Sequence, residues 1–486
     1  MKYSYKVVFF IMLSSSIFAT DPPEVNDVHS QMNLTRVESV LKPKTVGEIQ
    51  TIVRNAKKDN KFISIAGARH AMGGQQFGEN TLLLDMSDMK RIIRFDPDRG
   101  IIEVEAGIQW PELVQYLLQV QKDKWPQWGI IQKQTGADRL SIGGALSANA
   151  HGRGLKFKPF IDNVESFTLV DAEGTLRTCN RKENSELFDL AIGGYGLFGV
   201  IIAVELRLMP RTKLERVVEV LELKDLMKAF EKRISEGFLF GDFQYDIDTN
   251  APAFMKRGVF SCYKPVDSKT PMPPEQKEMS AENWDTLYYL AHTDKSKAWD
   301  VYSQYYLSTN GQLYWSDIHQ MSIYGDNYHL VLDEKMKAPV RGSEMITEID
   351  VKREHLADFM SEVAKKFKEE KTDVIYGTVR LIEKDDECFL TWAKDRYACV
   401  IFNLHVNQNP EGLEKAKKDF RFLIDMAIKY EGTYFLTYHR FATREQVEAC
   451  YPQFPEFLRL KKKYDPQERF QSEWYRHYKK MFSDKI

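Results

Sequence analysis

Residues Gly67–Gly74 read Gly-Ala-Arg-His-Ala-Met-Gly-Gly and follow the strand-like run Lys61–Ile65. Glycine tolerates positive φ and close backbone approach. Clusters of it after a strand turn N–H groups toward phosphate-type anions. His70 therefore sits in a cradle otherwise built of backbone, although taken alone the stretch also reads as a tight turn with an exposed histidine. Two further small-residue stretches follow, SIGGALSANAHGRG (Ser141–Gly154) and GGYGLFG (Gly193–Gly199). The last contains Gly-x-Gly-x-x-Gly, but a dinucleotide fingerprint needs a strand before and a helix after it. Here the helix-like SELFDLAI comes first and the β-branched VIIAVELRL second, which argues against a nicotinamide Rossmann domain. No CxxC or HExxH pattern occurs, and no metal site is expected.

The elements around these loops are legible from periodicity. TVGEIQTIVRNAKKDNK opens with Thr45 and Glu48 in capping-box spacing and carries Val46, Ile49, Ile52, Val53 and Ala56 on one helical face. Short β-type runs fill TLLLDMSDMKRIIRFDPDRGIIEVEAG, and Pro111 opens the helix PELVQYLLQV. VESFTLV and TLRTC form a hairpin through Asp171–Gly174. Beyond Pro210 glycine thins out and aromatics and charges increase. ELKDLMKAFEKRI and REHLADFMSEVAKKFKEE read as amphipathic helices, the second with Leu356, Phe359, Met360, Val363 and Phe367 as a core stripe. Around them lie β-type runs: GDFQYDI, HLVLD, MITEIDV, DVIYGTVRLI and YACVIFNLHV. TYFLTYH, near the end, is also strand-like. Helices and strands alternating without βα glycine turns indicate an α+β domain with a mostly antiparallel sheet.

A chain of 486 residues suggests two or three domains. A net charge of −2 gives no reason to expect a nucleic-acid partner, and the lysine run Lys461–Lys463 reads as a solvated helix face. Residues 1–20 have basic Lys2 and Lys6, an apolar core and Ala19 before a polar stretch, the layout of a secretory signal peptide. The protein is expected to be exported, with no stable membrane insertion once the peptide is cut. The cysteines Cys179, Cys262, Cys388, Cys399 and Cys450 are odd in number and widely spaced, so they allow one or two bridges and leave at least one thiol unpaired. Asn33-Leu34-Thr35 is a glycosylation sequon.

The ordered set GARHAMGG, SIGGALSANAHGRG and LFDLAIGGYGLFGVI resembles the FAD-binding domain of the vanillyl-alcohol-oxidase-type (PCMH-type) flavoproteins, over roughly Asn33 to Pro210. The chain end YDPQERFQSEW resembles that family's last segment. The nearest likeness is to the sugar-lactone and alditol oxidases and the decaprenylphosphoryl-ribose oxidase-like proteins. The resemblance implies an α+β protein with a two-lobed FAD-binding domain over 33–210, an α+β cap over 211–431, and a segment, 432–486, that returns to complete the FAD site. It implies FAD held by Gly67, Ala68, Arg69, His70, Ala71, Met72 and Gly73, then by Ser141, Gly143, Gly144, His151 and Gly152, and by Ile201 after the third loop. Gly193, Gly194, Gly196 and Gly199 read equally as backbone packing or as cofactor contacts.

In the lactone and alditol oxidases a Gly-x-x-His pattern carries a histidine bonded to the flavin, and His70 falls on that position. The resemblance further implies hydride removal from a CH–OH group of a sugar, polyol or related alcohol, with oxygen or another electron acceptor. Alternatives are a carrier-linked sugar oxidase acting in an epimerisation pathway and a flavin-binding protein without turnover. Alditol-type enzymes place Glu-x-Arg on a cap strand. In IYGTVRLIEKDDE, Arg380 matches the arginine, but Thr378 stands where the glutamate belongs. A threonine hydroxyl is no general base near neutral pH, so either another residue takes the proton or this branch handles a different substrate. His439 in LTYHRFAT is the preferred substitute, with Arg440 orienting substrate; His151 and Glu348 are further candidates.

Overall fold

The computed structural model describes residues 21–322 and 328–486. The expected signal peptide lies outside the described residues. Three lobes of secondary structure surround one large cavity. In the first, strands Ser39–Leu41, Leu82–Asp85 and Ile63–Ala66 form a parallel sheet in that order. Helix Val46–Lys58 crosses between them, its Thr45 Oγ1 accepting the Glu48 N–H. Its predicted stripe holds: Ile49, Val53 and Ala56 pack with Ile63 and Leu84. Phe470 belongs to the same cluster and forms a parallel bridge to Ile63, so the end of the chain extends its first lobe.

The second lobe is antiparallel, in the order Leu176–Asn180, Val164–Val170, Val200–Pro210, Ile101–Glu105, Ile92–Asp96. Trp128–Ile130 pairs with the far end of Val200–Pro210. The cap is a fully antiparallel sheet of eight strands. Its order is Leu313–Trp315, Lys213–Glu222, Arg257–Pro265, Phe240–Tyr245, Val374–Ile382, Tyr397–Asn407, Gly342–Lys352, Thr433–Tyr434. This is the α+β architecture that the pattern beyond Pro210 implied. Strand alternation sorts its two faces. Phe402 points to one side, against Phe359 and Phe367 of helix Leu356–Glu369, while Ile401 and Asn403 point to the other and line the cavity.

Several sequence readings change. HLVLD is not a strand but part of helix Tyr328–Met336. His329 and Leu332 are buried and Leu330 and Val331 exposed, a spacing of three that only a helix satisfies. Of TYFLTYH only Thr433–Tyr434 pairs, because the next residues leave the sheet edge to reach the cavity. The second glycine stretch is not all loop: Ile142–Ala148 is helical, capped by Ser141. Lys461 is not solvated; it is wholly buried and paired with Asp465. All five cysteines are free and buried, with no bridge. The sequon Asn33 is buried as well, its Nδ2 donating to Asp27 Oδ2 and to the Met72 carbonyl, so it offers no amide for glycosylation. No described helix is long and apolar enough to cross a membrane.

Candidate active site

The cavity has a volume of about 760 Å³, in the upper part of the roughly 300–1,000 Å³ range of small-molecule sites. Its first wall is the loop after strand Ile63–Ala66, where Gly67 through Met72 all line it. Arg69 adopts φ +63°, in the left-handed region. A left-handed residue within a turn brings successive N–H groups to one side and forms an anion-binding concavity. The loop's carbonyls are engaged elsewhere: Arg69 O accepts the Val28 N–H, and Ala71 O accepts Gln76 Nε2. The Arg69 guanidinium is held by Asp85 at 2.9 Å. The loop is tied to the returning chain end through Met72 N–H to Thr437 O and Gln75 Nε2 to Leu436 O.

The second wall is helix Ile142–Ala148 and its flanks. Gly143 packs on Ala106, where a Cβ would fall 2.8 Å from the Ala106 Cβ. The N–H groups of Gly143 and Gly144 are used inside the protein, by Ala106 O and Ser141 Oγ, so these glycines shape the wall rather than offer free donors. Gly67 abuts Ser141: a Cβ there would lie 2.1 Å from Ser141 Oγ. Gly67→Ala is expected to push Ser141 off its cap position, cost about 1–3 kcal/mol and lower bound FAD per chain. Visible absorbance and a thermal melt read both. Gly47→Ala, with nothing within 4 Å of its Cβ, is the unaffected control.

The structure brings Gly67, Ala68, Arg69, His70, Ala71, Met72, Ser141, Gly143, Gly144, His151, Ile201 and Arg380 to this one cavity. It does not bring Gly73, Gly152, Thr378 or His439 there. Gly73 is pressed against the Tyr438 carbonyl and Gly152 against the Lys133 carbonyl, so both serve backbone packing. Of the third loop, Gly196 and Gly199 reach the cavity, whereas Gly194 packs on the Leu190 carbonyl and Gly193 on Cys388. Thr378 lies between Tyr376 and Arg380 on one strand, wholly buried, its Oγ1 without a hydrogen-bond partner among the described residues. His439, the expected substitute base, is stacked on Phe441 and edge-on to Phe420. Burial, opposed by Asp27 and reinforced by Arg440, pushes its pKa down to about 4. Its chain neighbours Thr437 and Tyr438 turn inward instead.

The carboxylate that the cap strand lacks at Thr378 arrives from another strand. Glu348, on Gly342–Lys352, is buried, lines the cavity, and has Oε1 2.8 Å from His151 Nε2. The Gly152 carbonyl lies 3.1 Å from His151 Nδ1, and Trp392 and Phe435 pack against the ring. Glu348 and Arg380 stand on strands that flank Tyr397–Asn407 from either side, facing Ile401 and Cys399. Nearby Asp350 is pushed well above the usual carboxylate range, by burial and then by the Glu348 charge. The Tyr438 hydroxyl is pushed well up by burial and by the same carboxylate.

Several buried polar atoms along the walls have no hydrogen-bond partner among the described residues: Gln76 Oε1, Gln134 Nε2, Thr135 Oγ1, Asn403 Oδ1 and Arg380 Nε. Burying such groups unpaired costs about 1–3 kcal/mol each, so this wall is built to receive a polar ligand. The glycine-walled half, its left-handed turn and these unpaired donors and acceptors fit a cofactor with both phosphates and a polar ring system.

Comparison with known proteins gives the same class. A family described as "FAD binding domain" matches residues 37–180, and one described as "D-arabinono-1,4-lactone oxidase" matches residues 320–478. The chain carries an FAD-binding domain of the PCMH type, joined to a segment of lactone-oxidase type. Among relatives, it is 26% identical to L-gulonolactone oxidase of Mus musculus over 204 residues, 42% of this chain and 44% of that one. It is 32% identical to an uncharacterized oxidoreductase of the fasciation locus of Rhodococcoides fascians over 169 residues, 35% of this chain and 37% of that one. Cytokinin dehydrogenase 1 of Arabidopsis thaliana is 26% identical over 191 residues, 38% of this chain and 32% of that one. The chain spans less than half the length of each of these relatives.

Proposed function

We propose that this protein is an FAD-dependent oxidoreductase that oxidises a CH–OH group of a sugar lactone or related alcohol. The observation that carries the reading is the meeting of Glu348, His151 and Arg380 in the same cavity as the glycine loops. Bound FAD supplies the two-electron sink for the hydride leaving the carbon, and oxygen or another acceptor takes the electrons onward. Glu348 accepts the hydroxyl proton as the C–O bond gains double-bond character. His151 positions that carboxylate through the 2.8 Å contact. Arg380 steadies the negative charge that develops on the oxygen. The loop Gly67–Met72 and the Ser141 helix hold the cofactor, with His70 as its covalent tether.

The test is anaerobic bleaching of the visible flavin band by L-gulonolactone, D-arabinono-1,4-lactone, L-galactono-1,4-lactone and simple alditols. Rapid bleaching by at least one is expected; no bleaching by any CH–OH donor overturns the reading. Acid precipitation tests the tether separately. Yellow colour is expected to stay in the pellet of the parent protein and to pass to the supernatant in His70→Ala. Colour released from the parent protein would remove the tether and leave the oxidation intact.

A second reading of the substrate rests on the opposite wall. Trp284, Trp299, Tyr302, Tyr305 and Tyr306 line it, and the Arg216 guanidinium lies 5.2 Å from the Tyr306 ring centre and 4.6 Å from that of Tyr314. Aromatic faces of this kind favour flat or apolar groups, so an alcohol carrying an apolar portion is expected to bleach the flavin at lower concentration than a bare lactone.

A further inference from the structure

Outside the residues assigned above, imidazoles gather around one buried carboxylate in the cap. Glu344, on strand Gly342–Lys352, is wholly buried. Its Oε1 lies 2.7 Å from Nε2 of His292, on helix Ala281–Thr293, and 3.1 Å from Nδ1 of His405, on strand Tyr397–Asn407. These three ligand atoms converge within 4.8 Å. His329, on helix Tyr328–Met336, is buried beside them and feels the Glu344, His292 and His405 charges.

Two observations bear on what this cluster can bind. The Tyr288 carbonyl lies 2.8 Å from His292 Nδ1. A backbone acceptor there favours the proton on Nδ1, so an ion taking the place of the Nε2 proton between His292 and Glu344 finds the ring already oriented, the supporting arrangement that metal-ligating histidines use. Glu344 Oε2 is buried and has no hydrogen-bond partner among the described residues, so the carboxylate keeps an unused donor atom.

We propose that His292, Glu344 and His405 bind one divalent transition-metal ion of the zinc class. Two imidazoles and one carboxylate are a donor set that suits zinc, with nickel and copper as chemical competitors. Ligand atoms about 2.0–2.1 Å from a tetrahedral ion stand about 3.3 Å apart, wider than the 2.7 and 3.1 Å that separate Glu344 Oε1 from the two imidazole nitrogens, so the carboxylate draws back on binding. The ion would join helix Ala281–Thr293 to the sheet. That helix carries Trp284, Leu287 and Tyr288 into the cavity, so the site would set the position of the aromatic wall without touching the reacting groups. The inference stands on the cap alone and does not depend on which donor is oxidised.

The experiment uses the full flavoprotein, stripped with a chelator and titrated with zinc against a competing indicator, then with cobalt(II), whose ligand-field bands fall at longer wavelength than flavin absorbance. One ion per chain is expected. Glu344→Gln with His405→Gln is expected to raise Kd by more than the roughly 10–100-fold that loss of a supporting group costs. Cys399→Ser, which alters the other convergent trio (His151, Glu348, Cys399), is expected to leave Kd unchanged. Retained flavin and an unchanged circular-dichroism spectrum verify the fold of each variant. Should the double variant not fold, His292→Gln and His405→Gln are read singly. Absence of saturable binding, or a Kd insensitive to these substitutions, overturns the proposal.

Discussion

Glu348→Gln is expected to lower kcat by about 10²–10⁴-fold, the usual worth of a positioned general base, while FAD content stays at the parent level. The substitution preserves shape and removes only the charge. Glu348 is buried on a strand interior, lines the cavity and contacts His151 Nε2 at 2.8 Å. A glutamine still accepts a hydrogen bond from His151 but takes no proton from substrate. The loss is therefore expected in kcat and kcat/KM together, with KM nearly constant, the signature of an interaction made only in the transition state. His151→Gln is expected to lose less, because His151 acts by holding the carboxylate. The check is stopped-flow flavin reduction in both variants. Reduction within tenfold of the parent rate in Glu348→Gln would move the proton acceptor to another residue.

Asp465→Ala is expected to destabilise the fold by about 3–5 kcal/mol, the cost of leaving a buried charge without its partner. Lys461 is wholly buried, with its ammonium 5.6 Å from the ring centres of both Phe470 and Tyr475. Asp465 is its ion-pair partner, and Asp465 Oδ2 also accepts the Phe470 N–H at 2.9 Å. Removing the carboxylate strips both contacts. Replacing the pair together, Lys461→Met with Asp465→Leu, is expected to recover much of the loss, since the ammonium no longer needs compensation. Burial, only partly opposed by Asp465, pulls the Lys461 pKa down from 10.5 to about 8. The unfolded chain then binds more protons between those values, so this group's contribution makes stability rise with pH from about 8 to 10.5. Denaturant midpoints across that window, in the parent and in Lys461→Met, check the sign; a parent that does not gain relative to the variant contradicts it.

Local elements were legible in the sequence because their signals are local. The Val46–Lys58 face, the Leu356–Phe367 stripe and the Asp171–Gly174 hairpin are each written within a single turn or alternation. The cavity loops were legible because glycine at Gly67 answers a steric demand that no other residue meets. Long-range placement was not. Glu348 reaches the site from a strand two positions away from the one bearing Arg380, and no spacing along the chain encodes that adjacency. His439 looked suitable by type, yet a turn after Tyr434 sends Thr437 and Tyr438 inward and stacks the histidine outside. The His292, Glu344 and His405 cluster draws on three separate segments, so no short motif announces it. Lys461 shows the converse error, in which a charge run concealed one buried partner for Asp465.

The bridge between Ile63 and Phe470 bears on how the molecule is made. Arg469 Nη1 donates to the Lys61 carbonyl across 408 residues of sequence and to the Ala56 carbonyl across 413. Closing so long a loop costs only slowly increasing entropy once both ends exist, but during synthesis Arg469 emerges 408 residues after Lys61. The first lobe thus waits, with one edge of its small parallel sheet uncovered, until that segment has emerged. Thr437 and Tyr438 arrive on the same late segment and form part of the cavity wall. The cavity is accordingly complete only once the segment bearing Thr437 and Tyr438 is in place, and an intermediate still lacking the Phe470 bridge leaves a strand edge open to edge pairing and aggregation.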